Sequence, residues 1–183
     1  HCDDAVENED KPSFALRQRK KSSMTQAITA VKEKKANAIV SSGNTGALMA
    51  ISKVTLRMLP GIDRPAICGT VPTTKGFSIA LDLGANVDST SKHLVQFAVM
   101  GDAFAKSLLE VAKPKIGLLN IGSEDIKGNY AVKEAGEIMK DPEFPLNFYG
   151  YVEGNDINSG TVDVIVTDGF TGNIALKTME GTA

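Results

Sequence analysis

Four short segments of this 183-residue chain carry the residue types that hold small anions. They are Ser42-Gly43-Asn44-Thr45-Gly46, Asp82-Leu83-Gly84-Ala85-Asn86-Val87-Asp88, Asn120-Ile121-Gly122-Ser123-Glu124 and Asp168-Gly169-Phe170-Thr171-Gly172-Asn173. Glycine lets a backbone approach a ligand closely and adopt positive φ. Asn, Ser and Thr supply side-chain donors. A helix that starts behind such a loop adds free N–H groups and the positive end of its dipole. Lys177 stands four residues past Asn173, where it either reaches back to an anion or points to solvent. Each loop alone also reads as a plain turn. Asn44 or Thr45 would then cap a helix, and Asp82 would bond to its own turn. Asp88 with Ser89, Thr90 and Ser91 reads as N-cap material.

Other chemistries find little support. No loop ends in the Lys-Ser/Thr of a phosphate-binding P-loop, and none has the dinucleotide G-x-G-x-x-G spacing. There is no G-x-S-x-G nucleophile elbow. The chain has 2 histidines and 2 cysteines, and Cys2 and Cys68 lack partners at metal-ligand spacing. Neither metal nor cofactor is expected. A site made of hydrogen-bond donors and positioning suits a nucleophile that is already an anion.

The elements that must hold these loops follow from periodicity. Ser22-Ser23 caps a helix whose Met24, Ala27, Ile28 and Val31 share one face, and Pro12 opens a shorter helix before it. Ala38-Ile39-Val40 reads as a buried strand, and Ala47 to Met58 as a helix buried on nearly every face. Ala66 to Val71, Phe77 to Leu81, Ile116 to Leu119, Asn147 to Val152 and Val162 to Val166 read as further strands. A long helix from Ser91 turns Leu94, Phe97, Ala98, Gly101, Ala105 and Leu108 inward. Val132, Ala135, Ile138 and Met139 mark the next, and the last begins at Ile174. Strand, polar loop, helix thus recurs four times. That pattern predicts an α/β protein with a largely parallel sheet and flanking helices. Ligands of such sheets sit at the carboxyl ends of the strands, so the four loops are expected to converge there.

Composition narrows the class. Lys and Arg number 20 against 22 Asp and Glu, a formal net charge of -2, which argues against nucleic-acid binding. No apolar run approaches the roughly 18 residues of a membrane span. So few cysteines predict a reducing, cytoplasmic setting. The charge is uneven. Five acids lie within His1 to Asp10, which reads as a loop or frayed end, and the run Arg17-Gln18-Arg19-Lys20-Lys21 is basic.

At its loops the sequence closely resembles the bacterial acyl-ACP:phosphate acyltransferases, the PlsX family. The likeness rests on Ser42 to Met49, Gly61 to Ala66, Asp82 to Asp88, Leu94 to Gly101, Leu118 to Glu124 and Thr167 to Asn173, in order along the chain. It implies transfer of a fatty acyl group from acyl carrier protein to inorganic phosphate. The product is acyl-phosphate, a donor for phospholipid synthesis. It implies the fold of isocitrate and isopropylmalate dehydrogenases, shared with phosphate acetyl- and butyryltransferases. The catalytic residues it implies are Asn44, Asp82, Asn86, Asp168 and Asn173. Phosphate or acyl contacts would come from Ser42, Gly43, Thr45, Gly46, Asn120, Gly122, Glu124, Gly169, Phe170, Gly172 and Lys177. Acyl carrier protein is acidic, so Arg17, Arg19, Lys20 and Lys21 would meet it, or else form a solvated face. The likeness further implies a homodimer, cytoplasmic or peripheral at the membrane beside a membrane acyltransferase. It makes this chain the central portion of a longer enzyme, cut at both ends. Two other readings stand beside it. One is an NAD-dependent dehydrogenase of the same fold, although its arginine cluster is not recognisable here. The other is a non-catalytic recruitment module for lipid synthesis, although no amphipathic membrane helix is evident.

Overall fold

The structure, a computed structural model, describes residues 1–182 and divides them into two compact units, one ending at Pro65 and one beginning at Ala66.

The first unit is helical. It contains α1 (Pro12–Gln18), α2 (Ser23–Lys32) and α3 (Thr45–Leu56). Ser22 Oγ accepts from Thr25 N at 3.3 Å, the N-cap that its residue type predicts. Ala15, Met24, Ile28, Ala47 and Ile51 form its core. The acidic N-terminus is tied down. Arg19 bridges Asp4 and Asp10, each at 3.0 Å. The Glu7 N–H, and then the Arg19 guanidinium, hold the Asp10 carboxyl below its ordinary range.

Two expectations fail here. Ala38-Ile39-Val40 forms no strand, and Val40 is fully exposed. Apolar β-branched character is not enough, because a strand needs a ladder partner. Among the described residues this unit contains no other strand. Helix α3 is apolar all round yet buries only Ala47 and Ile51, leaving Val54 and Leu56 exposed.

The second unit is built on a five-stranded sheet in the order β1-β2-β5-β3-β4. The strands are β1 (Cys68–Thr73), β2 (Gly76–Leu81), β3 (Lys115–Leu119), β4 (Asn147–Val152) and β5 (Val164–Val166). β1 and β2 make an antiparallel hairpin, and β2, β5, β3 and β4 run parallel. The helices are α4 (Ser91–Leu108), α5 (Tyr130–Lys140) and α6 (Gly169–Thr182).

Side chains alternate between the two faces of a strand, so each central strand feeds two cores. Ile79, Leu81, Ile116, Leu118, Val164 and Val166 pack with Leu94 and Phe97 of α4 and Val132 and Ala135 of α5. Ala80, Leu119 and Ile165 join the second core, against which Ala175, Leu176 and Met179 of α6 pack. Burial on both faces explains the continuous apolar runs of β2, β3 and β5.

The unit strand, loop, helix is complete three times, not four, because 38–40 is not a strand. Leu108, expected on the inner face of its helix, is exposed, and so is Ile138, one of the markers of the next. Helix α6 starts at Gly169, five residues before Ile174. The parallel strands nevertheless deliver the segments after β2, β3 and β5 to one edge of the sheet.

Candidate active site

The segment after β2 is organised by one carboxylate. Asp82 is completely buried. Its Oδ1 accepts from Ile67 N at 2.9 Å, Gly84 N at 3.2 Å and Ala85 N at 2.9 Å. Its Oδ2 accepts from Asn86 N at 2.7 Å and Asn86 Nδ2 at 2.8 Å. Five N–H donors therefore satisfy the charge without a cation, the condition under which a buried carboxylate is tolerated. Asp82 and Asn86 thus close their own turn. They shape the loop that leads into α4, whose cap is Thr90, with Oγ1 accepting from His93 N.

The start of α6 is pressed against that turn. A Cβ on Gly169 would lie 2.7 Å from Asn86 O, and one on Gly172 would overlap the Asp82 carbonyl oxygen. Gly169 N also donates to Asn86 O at 2.8 Å. The two glycines serve helix-to-turn contact. Asp168 caps α6, its Oδ1 accepting from Thr171 N and its Oδ2 from Thr171 Oγ1, both at 2.8 Å. Asn173 Nδ2 reaches Leu83 O at 3.4 Å, which pins the first turn of α6 to the same segment.

Above this lies a cavity of about 370 Å³ within the second unit. Val87, Asp88 and Ser89 line it from the β2–α4 loop, and Leu94 from α4. Asn129, Ala131 and Val132 line it from the start of α5. Asp168, Phe170 and Thr171 line it from the start of α6. Asn129 caps α5, its Oδ1 accepting from Val132 N at 2.9 Å. Three helix N-termini thus border one cavity, each carrying first-turn N–H groups without intrahelical partners and a partial positive charge. The two carboxylates, Asp88 and Asp168, would oppose a fully ionised anion and would accept a hydrogen bond from a protonated one.

Of the residues singled out in the sequence, Asp168 and Phe170 reach this cavity, while Asp82, Asn86, Gly169, Gly172 and Asn173 build the turn and helix start beside it. Lys177 is exposed and pairs with Glu180 at 2.7 Å. The segment after β3 is occupied with itself. Asn120 Nδ2 donates to Lys127 O at 3.1 Å and its Oδ1 accepts from Ile121 N at 2.9 Å, with Gly122 buried and Glu124 exposed.

The Ser42–Gly46 loop belongs to the first unit. Asn44 Oδ1 caps α3 through Ala47 N at 3.0 Å. Its Nδ2 lies 2.9 to 3.3 Å from the carbonyls of Glu7, Asn8 and Asp10. Its amide protons therefore hold the N-terminal segment. Ser42 and Gly43 line a separate cavity of about 390 Å³ there, and Thr45 and Gly46 open α3.

Thr171, within a segment singled out in the sequence, lines the cavity, and so do Asp88 and Ser89, expected as cap material, and Asn129, for which the sequence reading names no role. Asn129 was readable, since Asn placed just before Val132 and its apolar partners is an N-cap signal. Thr90, and not Ser89, takes the cap of α4. Ser89 Oγ is buried with no hydrogen-bond partner. An unpartnered buried hydroxyl costs about 1–3 kcal/mol. Ser89→Ala is therefore expected to leave the melting temperature of the second unit unchanged or raise it by a few degrees, as read by thermal unfolding. A fall would mean that the hydroxyl is bonded.

Comparison with known proteins decides the family. The profile described as "Fatty acid synthesis protein" matches residues 1–183. The chain belongs to this fatty acid synthesis family. A relative named phosphate acyltransferase from Paramagnetospirillum magneticum is 63% identical over 182 residues, covering 100% of the chain and 52% of the relative. Another of that name, from Parvibaculum lavamentivorans, is 56% identical and covers 99% and 50%. The chain spans about half the length of these members of the family. Among solved structures, the EutD phosphotransacetylase from Staphylococcus aureus superposes with a TM-score of 0.67 at 17% identity, over 95% of this chain and 59% of that one. A phosphotransacetylase from Streptococcus pyogenes gives 0.61 at 21%, over 85% and 53%. At such identities the likeness establishes the α/β fold.

Proposed function

We propose that the chain is the central portion of a phosphate acyltransferase that forms acyl-phosphate from fatty acyl-ACP and inorganic phosphate. The observation that carries this reading is the cavity bordered by three helix N-termini at the carboxyl edge of the sheet, in a member of this family. The half-length span against relatives named phosphate acyltransferase supports the placement within a longer enzyme.

A phosphate oxygen attacks the thioester carbonyl carbon. A C–O bond forms, the C–S bond breaks, and the thiolate leaves and takes up the proton lost by phosphate. No acyl-enzyme is needed, because the donor is already activated. The protein's task is to align the two reactants and to offer donors where negative charge develops. First-turn N–H groups of α4, α5 and α6 that the caps Thr90, Asn129 and Asp168 and the Asn86 carbonyl do not engage would supply those donors. Asp168 would accept a hydrogen bond from the protonated oxygen of phosphate and so orient it. Asp82 and Asn86 act one step back, by fixing the loop that carries Val87 to Ser89.

For the carrier protein, Arg17, Lys20 and Lys21 offer exposed basic groups, whereas Arg19 is committed to Asp4 and Asp10. A homodimer, cytoplasmic and peripheral at the membrane, enters this reading from the family resemblance. No helix among the described residues is long and apolar enough to cross a membrane.

The test is mass spectrometry of the whole gene product incubated with palmitoyl-ACP and phosphate. Palmitoyl-phosphate should accumulate only when both substrates are present. Persistence of palmitoyl-ACP with no acyl-phosphate would overturn the proposal.

A further inference from the structure

The edge of the sheet that carries the cavity also carries exposed apolar side chains that the reaction chemistry does not explain. Val87 follows β2, Ile121 and Ile126 follow β3, Tyr130 opens α5, and Phe170 and Ile174 lie at the start of α6. The topology puts all six at the carboxyl edge of the sheet. They are strongly exposed: Ile126 at 81%, Ile121 at 80%, Tyr130 at 76%, Val87 at 65%, Phe170 at 61% and Ile174 at 51%. The first five are the most exposed large apolar side chains of the second unit. Single exposed apolar residues are ordinary on a protein surface, but a concentration of them at one edge marks a binding surface. Two of them, Val87 and Phe170, line the cavity itself, so the exposed apolar groups of this edge begin at the cavity.

We infer that this apolar rim receives the hydrocarbon chain of the acyl donor, with the thioester carbonyl directed into the cavity. The inference rests on the acyl-transfer reading and adds where the chain lies. A fatty acyl thioester is polar at its reacting end and apolar beyond it, and the edge has that same order, donors within and hydrocarbon around. Burial of each methylene favours binding by about 0.8 kcal/mol, or roughly fourfold in affinity. A rim that covers even a few methylenes therefore makes the enzyme select for chain length. The rim residues set specificity, while the N-terminal N–H groups hold the reacting atoms.

The experiment compares the whole gene product with its Ile121→Ser/Ile126→Ser variant. Both side chains are strongly exposed on the second unit, and circular dichroism of the whole variant checks that its fold is kept. For each protein kcat/KM is measured with butyryl-ACP and with palmitoyl-ACP at saturating phosphate. The parent should prefer palmitoyl-ACP, and the palmitoyl-to-butyryl ratio should fall at least about tenfold in the variant. An unchanged ratio overturns the inference. So does an unchanged ratio combined with loss of vesicle binding, which would assign the rim to a lipid surface. An unchanged ratio with a lowered oligomer mass would assign it to a second copy. If the parent forms no acyl-phosphate from either donor, the acyl-transfer reading fails by itself. The rim is then tested with cis-parinaric acid fluorescence. Binding weakened at least about tenfold in the variant upholds a hydrocarbon site, and equal binding overturns it.

Discussion

Gly172→Ala should unfold the second unit at a temperature about 10 °C or more below the parent. Its added methyl would overlap the Asp82 carbonyl oxygen and stand 2.8 Å from Thr167 Cγ2. The obstacle is backbone, which cannot rotate aside like the end of a flexible side chain. Overpacking commonly costs about 1–3 kcal/mol and occasionally more, and for a unit of this size 3 kcal/mol amounts to roughly 10 °C. Helix α6 offers its own control. Gly181 has nothing within 4 Å of a Cβ, so Gly181→Ala should be neutral or slightly stabilising, since alanine is the better helix former. Thermal melts followed by circular dichroism compare the two. Similar melting temperatures for both variants would show that α6 is not seated on the turn.

Asp82→Asn carries the second large effect. The change keeps the shape and removes the charge, and it turns one acceptor oxygen into a donor. Whichever way the new amide lies, N–H groups that now bond to Asp82 would face another N–H. Each buried N–H left without an acceptor costs about 1–3 kcal/mol, and at least two are left so here. We expect cooperative unfolding to shift to lower denaturant by that amount, with early loss of protection at the Gly84, Ala85 and Asn86 amides in hydrogen exchange. A residue acting only on substrate would give another result, with turnover reduced and the unfolding midpoint unchanged. The two measurements on one variant separate the roles.

Much of the second unit was legible because the strongest sequence signal is burial. β2, β3 and β5 are short apolar runs, and α4 and α5 show a single apolar face, so their type and order followed from pattern. What escaped depended on distant partners. Ala38-Ile39-Val40 has the composition of a strand, but composition does not supply a neighbour to pair with. Gly169 and Gly172 read as loop because glycine disfavours helix, and close contact with the Asp82 turn overrides that preference. For Asp82 itself, four of the five donors come from Gly84, Ala85 and Asn86 and fit a turn, but the Ile67 N–H lies fifteen positions away and left no local sign. Asn44 shows the same limit. Its cap on α3 was one of two readable roles, while the carbonyls of Glu7, Asn8 and Asp10 that engage its amide are more than thirty residues distant.

The three-residue β5 poses a question of alignment. Val164, Ile165 and Val166 are all buried, so hydrophobicity is indifferent to which of them faces which core. In a strand with one wet face, a slip by one position would drive apolar groups into water and be rejected. Here a slip would exchange like for like. The Thr167 carbonyl accepts from Asp82 N at 3.1 Å, and two small residues on the next helix fit against the turn that Asp82 closes. Moving the chain by one step would bring Thr171 or Asn173 to the place where only hydrogen fits. The corner beside the candidate cavity therefore acts as a gauge that keeps the central strand in frame. A lineage that altered this corner to suit a new substrate would be altering the alignment of its own sheet.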